Sequence, residues 1–157
     1  MAVPDTQYLP VHWPERMDDS FCWIAENAAA LHVAFVLGEG DIVQDDLPEE
    51  CAVSEAAWRR LDGVVPYALA VGSRAMTGSD TTRFNEAFPR SVQATLPSFW
   101  GTRDAERMDD AWHSLEAGGV DWLVLALSWT QTPEQLASAA EVIAAHPDHR
   151  VITTTHA

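Results

Sequence analysis

Three short polar stretches stand where chemistry could be built: Asp5-Thr6-Gln7, Gly40-Asp41 and His156, each shortly after an apolar or β-branched run. In α/β sheets the loops beyond the carboxyl ends of the strands are where ligands are bound and transformed. Carboxylates and an imidazole delivered to one sheet edge by separate strands can converge on divalent metals, which take oxygen and nitrogen donors held by rigid elements. Such ions would reverse the local repulsion that an acidic chain exerts on phosphate. Taken singly, a strand-end Asp is more often a loop cap, and a lone His is more often a hydrogen-bonded structural residue. The weight therefore rests on the order of the three stretches and on their placement.

Other motifs carry less. Gly38-Glu39-Gly40 lacks the third glycine of a dinucleotide fingerprint and the lysine of a phosphate-binding loop. Gly72-Ser73-Arg74 lacks the second glycine of a nucleophile elbow, which disfavours a serine hydrolase. His146 and His149 flank Pro147-Asp148 and could chelate a metal, although an exposed helix-to-strand turn is the stronger reading. His113 lies in a strand-like run with no direction assignable. Cys22 and Cys51 form no CxxC pair and read as packed thiols. Trp58, Trp112 and Trp122 fit core positions better than a ligand platform.

The elements that must hold these residues alternate in an α/β pattern. Met17, Phe21, Ile24, Ala28 and Leu31 share one helical face, which predicts an amphipathic helix over Glu15–Leu31 entered through Pro14. A buried strand follows over His32–Leu37, halted at Gly38-Glu39-Gly40. Ser54, Trp58 and Leu61 predict a second helix, and Pro66–Val71 a second buried strand ending at Gly72. From Met76 to Gly101 the chain reads as a long loop with one short helix. Ala111–Leu115 and Val120–Leu127, flanking Glu116-Ala117-Gly118-Gly119, predict an antiparallel hairpin. Thr132-Pro133-Glu134-Gln135 combines an N-cap, a first-turn proline and a capping-box glutamine ahead of Leu136, Ala139, Ala140 and Ile143. A β-branched strand over Arg150–Thr155 then ends at His156.

With 157 residues, 47% of them hydrophobic, the chain suffices for one domain with a core, taken as residues 1–157. Nine Lys plus Arg against 24 Asp plus Glu give a formal charge of −15, which makes nucleic acid and anionic membrane poor partners. The acidic groups Asp46, Glu49, Glu50, Asp109 and Asp110 read as solvated loop and helix-start charge. No basic n-region with an apolar stretch opens the sequence and no apolar run reaches the ~18 residues of a span. As the chain stands this reads as cytoplasmic, with an exported ancestor left open.

The joint order of Val3-Pro4-Asp5-Thr6-Gln7-Tyr8, Val36-Leu37-Gly38-Glu39-Gly40-Asp41-Ile42-Val43, Val64-Val65-Pro66-Tyr67, Phe84-Asn85-Glu86-Ala87-Phe88, Gly118–Leu125 and His149–Ala157 resembles the calcineurin-like metallophosphoesterases, particularly their Asp-Thr-Gln branch. The resemblance spans nearly the whole chain. It implies an α/β fold, a layered α/β/β/α sandwich of mixed sheets, with two divalent metal ions of the Mn, Fe, Zn or Mg class at the strand ends. Carried over by residue, Asp5 would bind the first metal, Asp41 would bridge both, Gln7 stands where many relatives have a histidine ligand, and His156 matches a later histidine ligand. The implied reaction is hydrolysis of a small phosphomonoester or phosphodiester by metal-activated water.

The departures from that pattern fall on the same site. Where the family reads Gly-Asn-His-Asp or Gly-Asn-His-Glu, this chain has Gly72-Ser73-Arg74-Ala75. Ser73 replaces an asparagine metal ligand, and Arg74 takes the place of the catalytic histidine. A serine side chain is shorter than asparagine, and arginine is a permanent cation that cannot donate a proton at neutral pH. Gln44 stands where the motif continues to another aspartate, and the sequence ends before the Gly-His-x-His segment that completes the family site, so the fold is expected to be incomplete at that end. The expectation is a metallophosphoesterase whose activity is weak or lost. The alternative is a non-catalytic pseudoenzyme or fragment serving as a binding module. The oligomeric state is left open.

Overall fold

The computed structural model describes residues 1–76 and 80–156, so positions 77–79 of the expected long loop lie outside the described residues, as does Ala157. Two sheets form the centre. Strands β1 (Ala2–Val3), β2 (Val36–Gly38) and β3 (Tyr67–Leu69) make a parallel sheet in that order, with Leu37 facing Ala2 on one side and Ala68 on the other. Strands β4 (Phe99–Thr102), β5 (Ala111–Ala117), β6 (Val120–Ala126) and β7 (Arg150–Thr154) make the second sheet. There β4, β5 and β6 run antiparallel to their neighbours, whereas β6 and β7 are parallel. The architecture is thus the mixed α/β arrangement with two sheets that the sequence predicts.

The expected hairpin is present over Ala111–Ala117 and Val120–Ala126, turned by Gly118 and Gly119 at φ +64° and +74°. Two successive residues of positive φ give the turn whose twist matches the strands, which favours glycine at both places. The parallel step from β6 to β7 requires a crossover, supplied by helix α6 (Pro133–Ala145). Its start is as predicted: the Thr132 hydroxyl accepts from Gln135 N–H, and the Gln135 side chain accepts from Thr132 N–H.

The two sheets pack through Phe35, Ala68, Val124 and Ala126, with Leu37, Leu115 and Ile152 at the margin. A larger core fills the space between the parallel sheet and helices α2 (Pro14–Asn27) and α3 (Pro48–Trp58), around Met17, Phe21, Trp58, Leu61 and Tyr67. Trp58 tilts against Phe21 at 4.6 Å between ring centroids. Of the three tryptophans expected in the core, Trp58 is fully buried and Trp112 and Trp122 are half-buried.

Several boundaries differ from expectation for identifiable reasons. Helix α2 stops at Asn27, with Ala28 as its cap and His32 at φ +52°, so Leu31 leaves the apolar face and is exposed. The turn consumes residues expected in the next strand, which shortens β2 to Val36–Gly38. Helix α3 begins at Pro48, and a 3-10 turn (Arg59–Leu61) continues it, so Leu61 is buried as its spacing implies. The stretch read as a loop with one helix holds two short helices, α4 (Thr82–Ala87) and α5 (Arg90–Gln93), then β4. The remaining short helix, α1, covers Leu9–His12. In α6 the packed face is Ala139 and Val142 against Leu123, Leu125 and Leu127, while Leu136 and Ile143 are exposed. No helix among the described residues is long and apolar enough to cross a membrane.

Candidate functional site

Asp41 sits one residue past the Glu39-Gly40 turn that ends β2, at φ +45°, a left-handed conformation that aspartate tolerates better than most residues. Its side chain is almost fully buried. The carboxylate accepts from Arg74 N–H at 2.8 Å and from the Ser73 hydroxyl at 3.3 and 3.4 Å. Its third partner is His156, just past β7, whose Nε2 lies 3.1 Å from Oδ2. The other nitrogen of that ring, Nδ1, lies 2.9 Å from the Glu39 carbonyl. An Nδ1–H donating to that carbonyl leaves Nε2 as the nitrogen facing Asp41, so a proton on Nε2 as well makes the contact an ion pair.

Two glycines make this junction close-packed. A Cβ at Gly72 would collide with the backbone nitrogen and carboxylate of Asp41, and one at Gly40 would stand 2.7 Å from His156 Cβ and 3.1 Å from Gly72 Cα. Gly40 also has φ +93°. The ends of β2, β3 and β7 therefore meet at these residues. On the far side Trp129 N–H donates to Val71 carbonyl at 2.7 Å, which ties the loop after β6 to the end of β3.

Asp5 follows β1 and reaches the same edge by its backbone: Thr6 N–H donates to the Asp41 carbonyl at 3.2 Å. Its side chain turns instead to Gln7, accepting from Gln7 N–H at 2.8 Å and from the Gln7 side-chain amide at 2.9 Å. Gln7 Oε1 is left buried without a hydrogen-bond partner. Asp5, Glu39, Thr153, Thr155 and His156 line a cleft of about 500 Å³. Thus the structure brings Asp41, Ser73 and His156 into direct contact and sets Asp5 and Gln7 beside them, facing each other. Arg74 contributes its backbone N–H, while its guanidinium is exposed and makes no ion pair among the described residues.

This donor set does not fit a dinuclear centre. Among the described residues no three His, Cys, Asp or Glu side chains converge as ion ligands. Both Asp41 oxygens already accept from protein donors, and both Asp5 oxygens accept from Gln7. A bridging carboxylate has to present its lone pairs to two cations, which these contacts do not leave open.

The sequence reading missed a second polar centre. Asp110, expected on a solvated surface, is buried and accepts from Arg103 Nε at 2.8 Å, from Gln135 at 2.9 Å and from Ser128 N–H and hydroxyl at 3.1 and 3.2 Å. Burial pushes its titration upward, and the Arg103 guanidinium, the Gln135 amide and Ser128 N–H together outweigh it and hold the carboxyl below the usual range. Glu50, read the same way, is also buried and accepts from Gln44 and Asp45 N–H at 2.9 and 2.8 Å, closing the loop after Asp41. The Gln135 capping glutamine was the one sequence signal near Asp110, but spacing alone cannot show that its amide crosses to β5. Cys51 is buried, and burial pushes its thiol up to about 11, in line with a packed thiol; Cys22 is half-buried.

A solved structure shares this architecture. No protein-family profile matches the chain. It is similar in sequence to the uncharacterized protein YvnB of Bacillus subtilis (strain 168), with 25% identity over 158 residues, covering 98% of this chain and 12% of that protein. Its structure is similar to that of the purple acid phosphatase PPD1 from yellow lupin (Lupinus luteus) seeds, with a TM-score of 0.51, 17% identity, and coverage of 88% of this chain and 25% of that one. At that identity the likeness is one of fold. The chain has a mixed α/β fold structurally similar to part of that purple acid phosphatase, and it spans 12% of the first protein and 25% of the second.

Proposed function

We propose that this chain is a metallophosphoesterase-type module directed at small phosphoesters, in which hydrolysis is weak or lost. The observation that supports this best is the state of Asp41. It occupies the strand-end position that the resemblance assigns to a bridging ligand, yet its carboxylate is taken up by Arg74 N–H, Ser73 and His156. In this reading Asp41 has become a structural acceptor that joins two sheets. Asp5, held by Gln7, has changed role in the same way. Arg74 would meet phosphate oxygens through charge-assisted N–H donation without transferring a proton, since a guanidinium stays protonated at neutral pH.

The test is turnover of p-nitrophenyl phosphate and bis(p-nitrophenyl) phosphate with added Mn²⁺, with and without EDTA. The reading expects an EDTA-sensitive rate that is at most slightly above the buffer control, and the same trace for Asp41→Asn. An EDTA-sensitive rate that Asp41→Asn abolishes would instead make the chain a working hydrolase.

A second reading, a non-catalytic binding module, is favoured by the exposed Arg74 guanidinium, which makes no ion pair among the described residues. It predicts that inorganic phosphate or an aryl phosphate binds without turnover, and that Arg74→Ala removes the binding.

A further inference from the structure

At the opposite end of β7 from His156, three aromatic side chains gather that the strand-end site does not use. His146 is the C-terminal cap of α6, and the turn through Pro147 and Asp148 returns His149 N–H to the His146 carbonyl at 3.1 Å. Their rings stand 5.4 Å apart between centroids, inclined at 64°. Trp100, from edge strand β4, lies against both, at 4.9 Å from His146 and 5.3 Å from His149.

We propose that His146 and His149 form a two-imidazole site for a single borderline transition-metal cation of the Zn²⁺, Cu²⁺ or Ni²⁺ class, walled by Trp100. Four observations carry it. First, two imidazoles sharing a tetrahedral ion at a metal–nitrogen distance of about 2.0–2.1 Å place their ring centres about 5 Å apart, the spacing found here. Second, His149 Nε2 lies 3.4 Å from the Ser114 hydroxyl, while its Nδ1 is buried with no hydrogen-bond partner. A ring held through one nitrogen and left with an unused second nitrogen is the arrangement of a metal-ligating histidine, and a buried ring nitrogen without a partner is otherwise costly. Third, the pair stands at the carbonyl end of a 13-residue helix, where the backbone favours positive charge, next to Asp148 in a chain of formal charge −15. Arg150, the nearest cation in sequence, is exposed. Fourth, the Trp100 contacts restrain both rings before any ion arrives, which lowers the ordering cost of binding. Neutral imidazole selects this metal class over the hard cations that prefer carboxylate cages. Two protein ligands leave the remaining positions to water or to a small donor.

The test is a titration of the whole chain with CuCl₂, and separately ZnCl₂, followed by calorimetry and tryptophan emission. Wild-type protein is expected to bind Cu²⁺ saturably and lose emission as it does so. His146→Gln and His149→Gln are each expected to weaken binding by about tenfold or more. Trp100→Phe should keep the calorimetric binding while removing most of the emission change, and His156→Ala, at the other end of β7, should alter neither. Circular dichroism confirms that each variant is folded. With Zn²⁺, which leaves resonances sharp, the ring protons of His146 and His149 should shift together. Binding unchanged by both histidine substitutions, binding lost only in His156→Ala, or no saturable binding by the wild-type chain would each overturn the proposal.

Discussion

The imidazole of His156, past the end of β7, lies 3.1 Å from the carboxylate of Asp41, past the end of β2, and so joins two sheets that share no strand. The contact is nearly buried, and its histidine is fixed at the other nitrogen by the Glu39 carbonyl. Removing the imidazole leaves Asp41 with fewer donors and the Glu39 carbonyl without one. His156→Ala should therefore cost about 1.5–3 kcal/mol, the usual worth of a hydrogen bond to a charged group. Urea unfolding measures it, and an unchanged midpoint would show that the sheets are held without this contact.

Gly72 predicts a larger effect. An added methyl would overlap the Asp41 backbone and carboxylate, neither of which can retreat without opening the junction. Gly72→Ala should lose at least the ~1–3 kcal/mol typical of overpacking. Gly119→Ala meets no neighbouring atom, and so carries only the backbone strain of φ +74°, about 1–2 kcal/mol. The ranking of the two by thermal or urea unfolding is the check; equal costs would contradict the packing described for Asp41.

His113 makes stability depend on pH. It is fully buried between Phe35 and Phe99, at 5.6 and 5.7 Å between ring centroids, with Nδ1 at 3.2 Å from the Ser98 hydroxyl and Nε2 without a partner. Burial lowers its titration from 6.5 to about 4. The unfolded chain therefore takes up the proton first, and the stability of the neutral ring, complete above pH 6.5, is lost as pH falls from 6.5 towards 4. The full effect is roughly 3 kcal/mol. His113→Leu should flatten the urea midpoint across that range, and an equally steep profile in the variant would assign the effect elsewhere.

Much of this fold was legible from local chemistry. The two glycines of the β5–β6 turn, the Thr132 capping box and the Met17–Phe21–Ile24 stripe each name an element through its own backbone or packing requirement. The misplacements came where a distant partner decides. Helix α2 ends where Ala28 and the positive-φ His32 turn the chain into β2, and no periodicity records that. Asp110 and Glu50 look like surface acids because the donors that satisfy them lie elsewhere in sequence, on Arg103, Ser128 and Gln135 for the first and on the loop after Asp41 for the second. For the site, the order of Asp5, Asp41 and His156 announced a shared sheet edge. It could not announce that Asp5 would turn to Gln7 and that Asp41 would be filled by Ser73, Arg74 N–H and His156.

The capping box offers a test confined to one element. Thr132→Ala removes the acceptor for Gln135 N–H and should cost about 1 kcal/mol. Gln135→Ala should cost more than this, because the same amide also donates to the buried Asp110 and to Ser128. Urea unfolding of the two variants gives the order, and a cheaper Gln135→Ala would remove Asp110 from the account.

The central claim is that Asp41 is a structural acceptor here, not a bridging metal ligand. Equilibrium dialysis against MnCl₂, followed by elemental analysis, tests it most directly on protein with Asp41 intact and with Asp41→Asn, both carrying His146→Gln and His149→Gln so that the His146–His149 pair cannot contribute. The account predicts no tightly held Mn²⁺ in either protein and a lower unfolding midpoint for Asp41→Asn. A stoichiometric pair of Mn²⁺ ions retained by the first and absent from the second would contradict it.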